Sequence, residues 1–248
     1  MDPASPASQL EQKIQSRTAT VSVVGLGYVG LPLLQAFFKA GFPVLGYDVD
    51  QKKIDMLHSG DSYLKHLGDD FAVEMSKSDT FRATADAQEL ATADVIILCV
   101  PTPLGEHGEP DMSYIKQSTD MVAKVLRKGQ LVTLESTTYP GTTRGDCVPI
   151  LAETGLAVGR DYFVAYSPER EDPGRKDHST KTIPKLVGGV DEVSGQLATM
   201  LYSAAIAEVV PVESAEIAEP ESPRAPRAAR GAACCVCVAG RKSSKEEC

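Results

Sequence analysis

The chain has 248 residues, 42% of them hydrophobic, with 34 acidic against 25 basic side chains and a formal charge of −9. That length buries a substantial core in one large domain or two small ones. The negative charge excludes a protein that binds by neutralising a phosphate backbone, so nucleic acid is not an expected partner. No run of 18 apolar residues occurs and the start MDPASPASQLEQKIQSR is polar, which points to a cytoplasmic protein with no membrane partner.

Residues 1–17 are polar with one apolar-spaced pair, Leu10 and Ile14, and are expected to form a loose arm or a frayed helix. From Thr18 onward short apolar runs alternate with amphipathic segments. The apolar runs are Ala19–Gly25, Pro43–Asp48, Asp94–Val100, Leu131–Glu135, Tyr162–Tyr166, Lys185–Gly188 and Ala207–Val212. Helix-spaced segments lie near Val29–Lys39, Gln51–His58, Met112–Leu126, Thr142–Thr154 and Glu192–Tyr202. This alternation predicts an α/β fold: βαβ units forming a doubly wound, Rossmann-like parallel sheet with helices on both faces over residues 18–212. Residues 213–219 read as the start of a further helix, which Pro220, Pro223 and Pro226 then interrupt.

Residues 220–248 differ in kind. They hold four of the six cysteines (Cys234, Cys235, Cys237, Cys248), with six basic and three acidic side chains, leaving 19 basic and 31 acidic in the first 219. The expectation is a disordered tail. Zinc sites favour paired C-x₂₋₄-C spacings or histidines at matching distance, which CCVC lacks, so no metal is expected. The four histidines (His58, His66, His107, His178) each stand alone and read as ordinary surface residues.

The first strand–helix junction reads VSVVGLGYVGLPLLQAFFKAG, placing Gly25, Gly27 and Gly30 in a G-x-G-x-x-G pattern. Such a pattern needs glycine for a tight turn, for close backbone approach to a pyrophosphate and for helix–strand packing; the helix start then holds the anion. The next strand, PVLGYD, ends in Asp48, 18 residues past Gly30, placed to accept hydrogen bonds from an adenosine ribose and to repel a 2′-phosphate. NAD rather than NADP is the expected cofactor. The rival reading is a glycine turn of the same fold that holds no dinucleotide.

Ligands of an open parallel sheet sit beyond the carboxyl ends of its strands, and three later loops fall there. DVIILCVPTP offers Pro101, Thr102 and Pro103. LVTLESTTYPGTT offers the carboxylate Glu135 and the hydroxyls Ser136, Thr137 and Thr138. YFVAYSPEREDPG offers Glu169, Arg170, Glu171 and Asp172 in succession. A charge run is ordinarily a solvated loop. Framed by Pro168 and Pro173 at a strand end, it becomes a candidate site in which an arginine could fork a phosphate.

GLGYVGLP, VPTP, ESTTYPGTT and SPEREDPG, in that order, resemble the nucleotide-sugar dehydrogenases of the UDP-glucose/GDP-mannose dehydrogenase family. SPEREDPG followed by IPKLVGG is most similar to the members that oxidise UDP-N-acetylglucosamine. The resemblance covers about residues 19–219. It implies a UDP-sugar substrate, a role in polysaccharide biosynthesis and a homo-oligomeric assembly that the missing C-terminal half would weaken. It also implies oxidation of the sugar's hydroxymethyl group by two NAD-dependent hydride transfers through a thiohemiacetal on a cysteine. By the same resemblance Tyr28 and Val29 contact the pyrophosphate and Asp48 the ribose. Pro101, Thr102 and Thr137 line the cofactor site, with Thr137 also near the hydrolytic water. Glu169 is the acid/base, and Arg170 and Glu171 face the nucleotide sugar. Arg175 departs from the family, where asparagine follows the SPEREDPG stretch.

The family continues past SAEIAE into a long helix with a catalytic lysine and asparagine, and then a second domain with the nucleophilic cysteine. This chain shows none of these, so NAD binding without complete turnover is expected. A reading-frame change in a GC-rich gene would give the Ala/Arg/Pro/Cys-rich composition of the tail. Cys99, inside an apolar strand, and Cys147, in the first turns of a helix, read as packing residues. Two other readings stand beside this one: a non-catalytic product that binds nucleotide or partner subunits, and a hydroxyacid dehydrogenase of the same superfamily.

Overall fold

The computed structural model describes residues 4–64, 70–103, 110–169 and 184–219. Eight strands form one sheet in the order β3-β2-β1-β4-β5-β6-β7-β8. They are β1 (Val21–Val24), β2 (Val44–Tyr47), β3 (Phe81–Thr84), β4 (Val95–Leu98), β5 (Leu131–Leu134), β6 (Phe163–Tyr166), β7 (Lys185–Gly189) and β8 (Val209–Val212). The helices are α1 (Pro6–Gln15), α2 (Gly30–Lys39), α3 (Gln51–Ser59), α4 (Asp70–Ser76), α5 (Ser113–Ala123), α6 (Val148–Ala152), α7 (Glu192–Ser203) and α8 (Ala215–Ala218).

The seven apolar runs each hold a strand. Two neighbouring layers explain why these runs lack the polar alternation of a half-buried strand: side chains still alternate, but both faces are covered. Val95 and Ile97 join the core beneath α1, α2 and α7, while Ile96 and Leu98 join the opposite core beneath α5 and α6. In α2, Leu31, Leu34 and Phe37 form the buried stripe, at the three-residue spacing that keeps side chains on one helical face.

The structure differs from the sequence expectation in four places. First, β6 and β7 pair antiparallel, so the sheet is mostly rather than wholly parallel. Second, the edge strand β3, the helix α4 and a 3-10 turn at Ala87–Thr92 are additional elements. Third, the expected helix over 142–154 is a π-helical turn at Thr143–Cys147 followed by the short α6. Finally, residues 6–15 are no loose arm. Ser5 caps α1 by accepting from the Ser8 N–H, and Leu10 and Ile14 are buried in the core formed with α7. The expected tail, residues 220–248, lies outside the described residues.

A polar latch holds α1 down. Lys13 Nζ lies 2.7 Å from Asp94 Oδ1, Arg127 lies 3.0 Å from the same oxygen, and the Thr20 N–H donates to Oδ2 at 3.1 Å. Burial alone would raise the Asp94 carboxyl; hydrogen bonds from Lys13, Arg127 and Thr20 outweigh it and hold it below the usual carboxylate value of 3.8. A depressed folded-state value means that the stabilisation is present above the unfolded value and is lost as pH falls through the folded one. Asp94→Asn is therefore expected to cost about 1–3 kcal/mol near neutrality. Urea denaturation from pH 7 down to pH 3 should show the gap to the unmodified chain constant at first, then closing below about pH 4.

Candidate functional site

The sheet reverses direction of growth at β1, with β2 on one side and β4 on the other. Loops leaving the carboxyl ends of two such strands part there and leave a crevice. A cleft of about 680 Å³ occupies this position. Its wall takes Gly25, Gly27, Tyr28 and Val29 from the end of β1, Tyr47, Asp48 and Val49 from the end of β2, and Cys99, Val100 and Pro101 from the end of β4. Glu135 after β5 and Glu169 after β6 close one end, and α5 contributes Tyr114, Gln117, Ser118 and Met121.

The three glycines do separate work. Gly25 has φ +93°, the left-handed region, and a Cβ there would run into the Cys99 carbonyl oxygen. A Cβ on Gly30 would collide with the Gly25 carbonyl oxygen, so this glycine, which does not line the cleft, lets α2 pack against the turn. A Cβ on Gly27 meets nothing within 4 Å. Gly27 is thus not required by the protein's own packing, and its bare backbone faces the cleft. No side chain caps the N-terminus of α2, and its Leu31 and Leu33 N–H groups donate to the Gly27 and Val29 carbonyls, so an anion here would be held by the backbone N–H groups of the turn that precedes Leu31. These features fit a dinucleotide pyrophosphate.

Asp48 is buried, and its carboxylate is already engaged. The Leu26 N–H donates to Oδ2 at 2.9 Å, Lys53 Nζ lies 2.8 Å from the same oxygen, and the Asp50 N–H donates to Oδ1 at 3.0 Å. Lys53 also lines the cleft, one turn along α3.

At the other end Thr137 Oγ1 donates to Glu169 Oε1 at 3.4 Å, although Thr137 is buried and not on the cleft wall. Pro101 is on that wall, and Thr102 is buried next to it in sequence. Ser136 joins the ends of β4 and β5, accepting from the Val100 N–H at 3.1 Å and donating to the Val100 carbonyl at 2.8 Å. Beneath the cleft lies a buried ion pair, Lys185 Nζ to Glu135 Oε1 at 2.5 Å. The Tyr202 hydroxyl donates to Glu135 Oε2 at 2.7 Å. Burial and then the Glu135 charge push the Tyr202 phenol far above its usual range, so it stays a donor. Arg170 and Glu171 lie outside the described residues.

Neither described cysteine suits nucleophilic work. Burial pushes the Cys147 thiol up to about 11, and its sulfur instead accepts from the Thr119 hydroxyl at 3.7 Å. Burial, then the Glu135 carboxylate, raises Cys99 as well. Thiolate, not thiol, attacks carbonyl carbon, so both serve packing.

Sequence reasoning misses Lys53 and Lys185. The first sits at no motif position, and the second opens an apolar run. Lysine on a buried strand edge is the one signal available, since such a charge needs a partner.

Comparison with known proteins gives a consistent picture. The family model described as "UDP-glucose/GDP-mannose dehydrogenase family, NAD binding domain" matches residues 19–206. The UDP-N-acetyl-D-glucosamine 6-dehydrogenase of Pseudomonas aeruginosa is 41% identical over 188 residues, covering 75% of this chain and 43% of that protein. Among solved structures, the UDP-D-ManNAc dehydrogenase of Pyrococcus horikoshii aligns with a TM-score of 0.74 at 33% identity, covering 81% of this chain and 49% of that one. The NDP-N-acetyl-D-galactosaminuronic acid dehydrogenase of Methanosarcina mazei Go1 aligns with a TM-score of 0.76 at 34% identity, covering 85% and 47%. The chain thus spans less than half the length of these relatives.

Proposed function

The chain belongs to the UDP-glucose/GDP-mannose dehydrogenase family and carries its NAD-binding domain, and on that premise we propose that it is the cofactor-binding half of a UDP-N-acetylhexosamine 6-dehydrogenase, with UDP-N-acetylglucosamine the favoured sugar nucleotide. Residues 18–212 form the cofactor domain in this reading, and residues 213–219 begin a connecting helix.

The observation that carries the proposal is the cleft at the β1/β4 divide, with Gly27 bare toward it and the uncapped start of α2 beside it. The backbone N–H groups of Tyr28 and Val29 hold the pyrophosphate there. Asp48 receives the adenosine ribose, while Pro101 and Thr102 shape the opposite wall. When bound, NAD supplies the hydride acceptor for the sugar's alcohol carbon. Glu169 exchanges the alcohol proton at its carboxylate, with Thr137 Oγ1 bound to Oε1 and fixing its direction. The relatives named for UDP-N-acetyl sugars support the substrate class. Because Cys99 and Cys147 are both held as thiols, the covalent step is not expected from the described residues.

Isothermal titration of the full chain with NAD tests this reading. One-to-one binding is expected, with the melting temperature raised by about 5–10 °C at a hundredfold excess of NAD over its dissociation constant. An NADH-absorbance assay with UDP-N-acetylglucosamine should show no sustained turnover. Absence of NAD binding at millimolar concentration would sink the proposal, and aggregation in the same sample would favour a non-catalytic product.

A further inference from the structure

The turn that follows Thr137 is closed by a carboxylate from much further along the chain. After β5 the backbone runs through Glu135, Ser136 and Thr137 to a turn at residues 139–143, where Gly141 has φ +92° and the π-helical turn begins. The first N–H groups of a helical turn have no partner within it, and no side chain at the start of this one caps them. Glu219 supplies the missing acceptors: Oε1 takes the Thr143 N–H at 2.8 Å and Oε2 takes the Gly141 N–H. Glu219 is fully buried, and burial raises its carboxyl above the usual 4.5 by more than the hydrogen bonds from Thr143 and Gly141 lower it.

The short helix α8, which leads into Glu219, is pinned at its start as well. A Cβ on Gly188 of β7 would run into the Ser214 carbonyl oxygen, so the chain entering α8 lies directly against the backbone of that strand. Glu216 pairs with Arg144 of the π-helical turn, and Arg144 also donates to the Val190 carbonyl just past β7. The α8 segment therefore bridges the two stretches that frame the Glu169 end of the cleft. One is the β5 exit, which carries Glu135 and Thr137; the other is β7, which carries Lys185.

We propose that Glu219 is a positioning residue for the Thr137–Glu169 pair, and that it couples the docking of α8 to occupancy of the Glu169 end of the cleft. The proposal rests on the cleft being the NAD site, with the nicotinamide at that end. An apolar side chain in this place would bury area without fixing direction. A carboxylate that accepts from two N–H groups fixes the turn in both distance and angle. Because burial disfavours this carboxylate on balance, adhesion is not what it adds. What it adds is geometry: Gly141 and Thr143 follow Thr137 closely in the same loop, and the Thr137 hydroxyl reaches Glu169. Coupling of this kind is reciprocal, so a ligand that favours one placement of Thr137 favours docked α8 by the same free energy.

Titration calorimetry of the full chain with NAD and with ADP-ribose, which lacks the nicotinamide, tests the proposal in the unmodified chain, Glu219→Gln and Glu219→Ala. The ratio of NAD to ADP-ribose affinity should fall at least about fivefold in Glu219→Ala, with ADP-ribose affinity itself kept within about twofold. It should fall less in Glu219→Gln, which retains one oxygen acceptor. Hydrogen exchange of the unmodified chain should slow in residues 25–31 with either ligand, and in residues 213–219 with NAD alone. An unchanged ratio in Glu219→Ala, or exchange in residues 213–219 that NAD leaves unaltered, overturns the proposal while NAD binding stands. NAD and ADP-ribose affinities that fall together would mark Glu219 as a stability residue and overturn it equally. If Glu219→Ala does not fold, Glu219→Gln and the exchange of the unmodified chain decide. Failure of the unmodified chain to bind NAD is the distinct outcome that removes the cofactor reading itself.

Discussion

Replacing Gly30 with alanine is expected to destabilise the chain by about 2–4 kcal/mol, whereas replacing Gly27 with alanine is expected to leave stability within about 1 kcal/mol and to weaken NAD binding at least tenfold. The two residues lie three apart in the same loop, and the difference comes from the atoms a Cβ would meet. At Gly30 it meets the Gly25 carbonyl oxygen, and Val23 Cγ1 at 3.1 Å. A backbone carbonyl cannot rotate aside as a side chain can, so relief requires lifting α2 off β1. At Gly27 the space is open within 4 Å and φ is not in the left-handed region, so an alanine fits the cofactor-free chain. Only a ligand pressed against that backbone would register the methyl group. Thermal melts and NAD titrations of both variants separate the two roles. Undiminished NAD affinity in Gly27→Ala would show that no pyrophosphate approaches this turn.

Much of the architecture is legible in the sequence because its causes are local. Strands such as VSVV and VIIL, buried on both faces, announce themselves within apolar runs, and the glycine turn is a short-range motif. The features that sequence conceals depend on distant partners. The edge strand β3 has only four residues, FRAT, and Arg82 is exposed among them, so no apolar run marks it. The antiparallel pairing of β7 with β6 has no signature in KLVGG, because strand direction is set by the path of the connecting chain rather than by side chains. The Leu10/Ile14 spacing of α1 is visible, but its docking depends on Asp94, 81 residues from Lys13. At the site, Asp48 is readable as an acid at a strand end. Its pairing with Lys53 turns on which way one lysine on α3 faces, which spacing from the glycine motif does not encode.

The larger effect on stability is expected from Lys185→Met, at about 3–5 kcal/mol and a melting temperature lower by about 10 °C. Lys185 and Glu135 are both almost fully buried, and each is answered on every side. Lys185 Nζ contacts Glu135 at 2.5 Å and the Pro168 carbonyl at 3.3 Å, above the Tyr202 ring. Glu135 takes the Tyr202 hydroxyl on its other oxygen. Removing the cation leaves an almost fully buried carboxylate at the end of the cleft without its counter-charge, and an uncompensated buried charge is far more costly than the pair itself is stabilising. The double variant Glu135→Gln/Lys185→Met should therefore recover most of the lost stability. Urea denaturation of the single and double variants measures this, and a single variant as stable as the unmodified chain would show that the pair is not held as described. The pair also joins three strand ends: Glu135 follows β5, Lys185 begins β7, and the Pro168 carbonyl immediately precedes Glu169. A stable double variant that loses affinity for NAD but keeps it for ADP-ribose would place the damage at the Glu169 end of the cleft. That result would mean the ion pair is retained for the geometry it imposes there, since neutral side chains serve stability equally well.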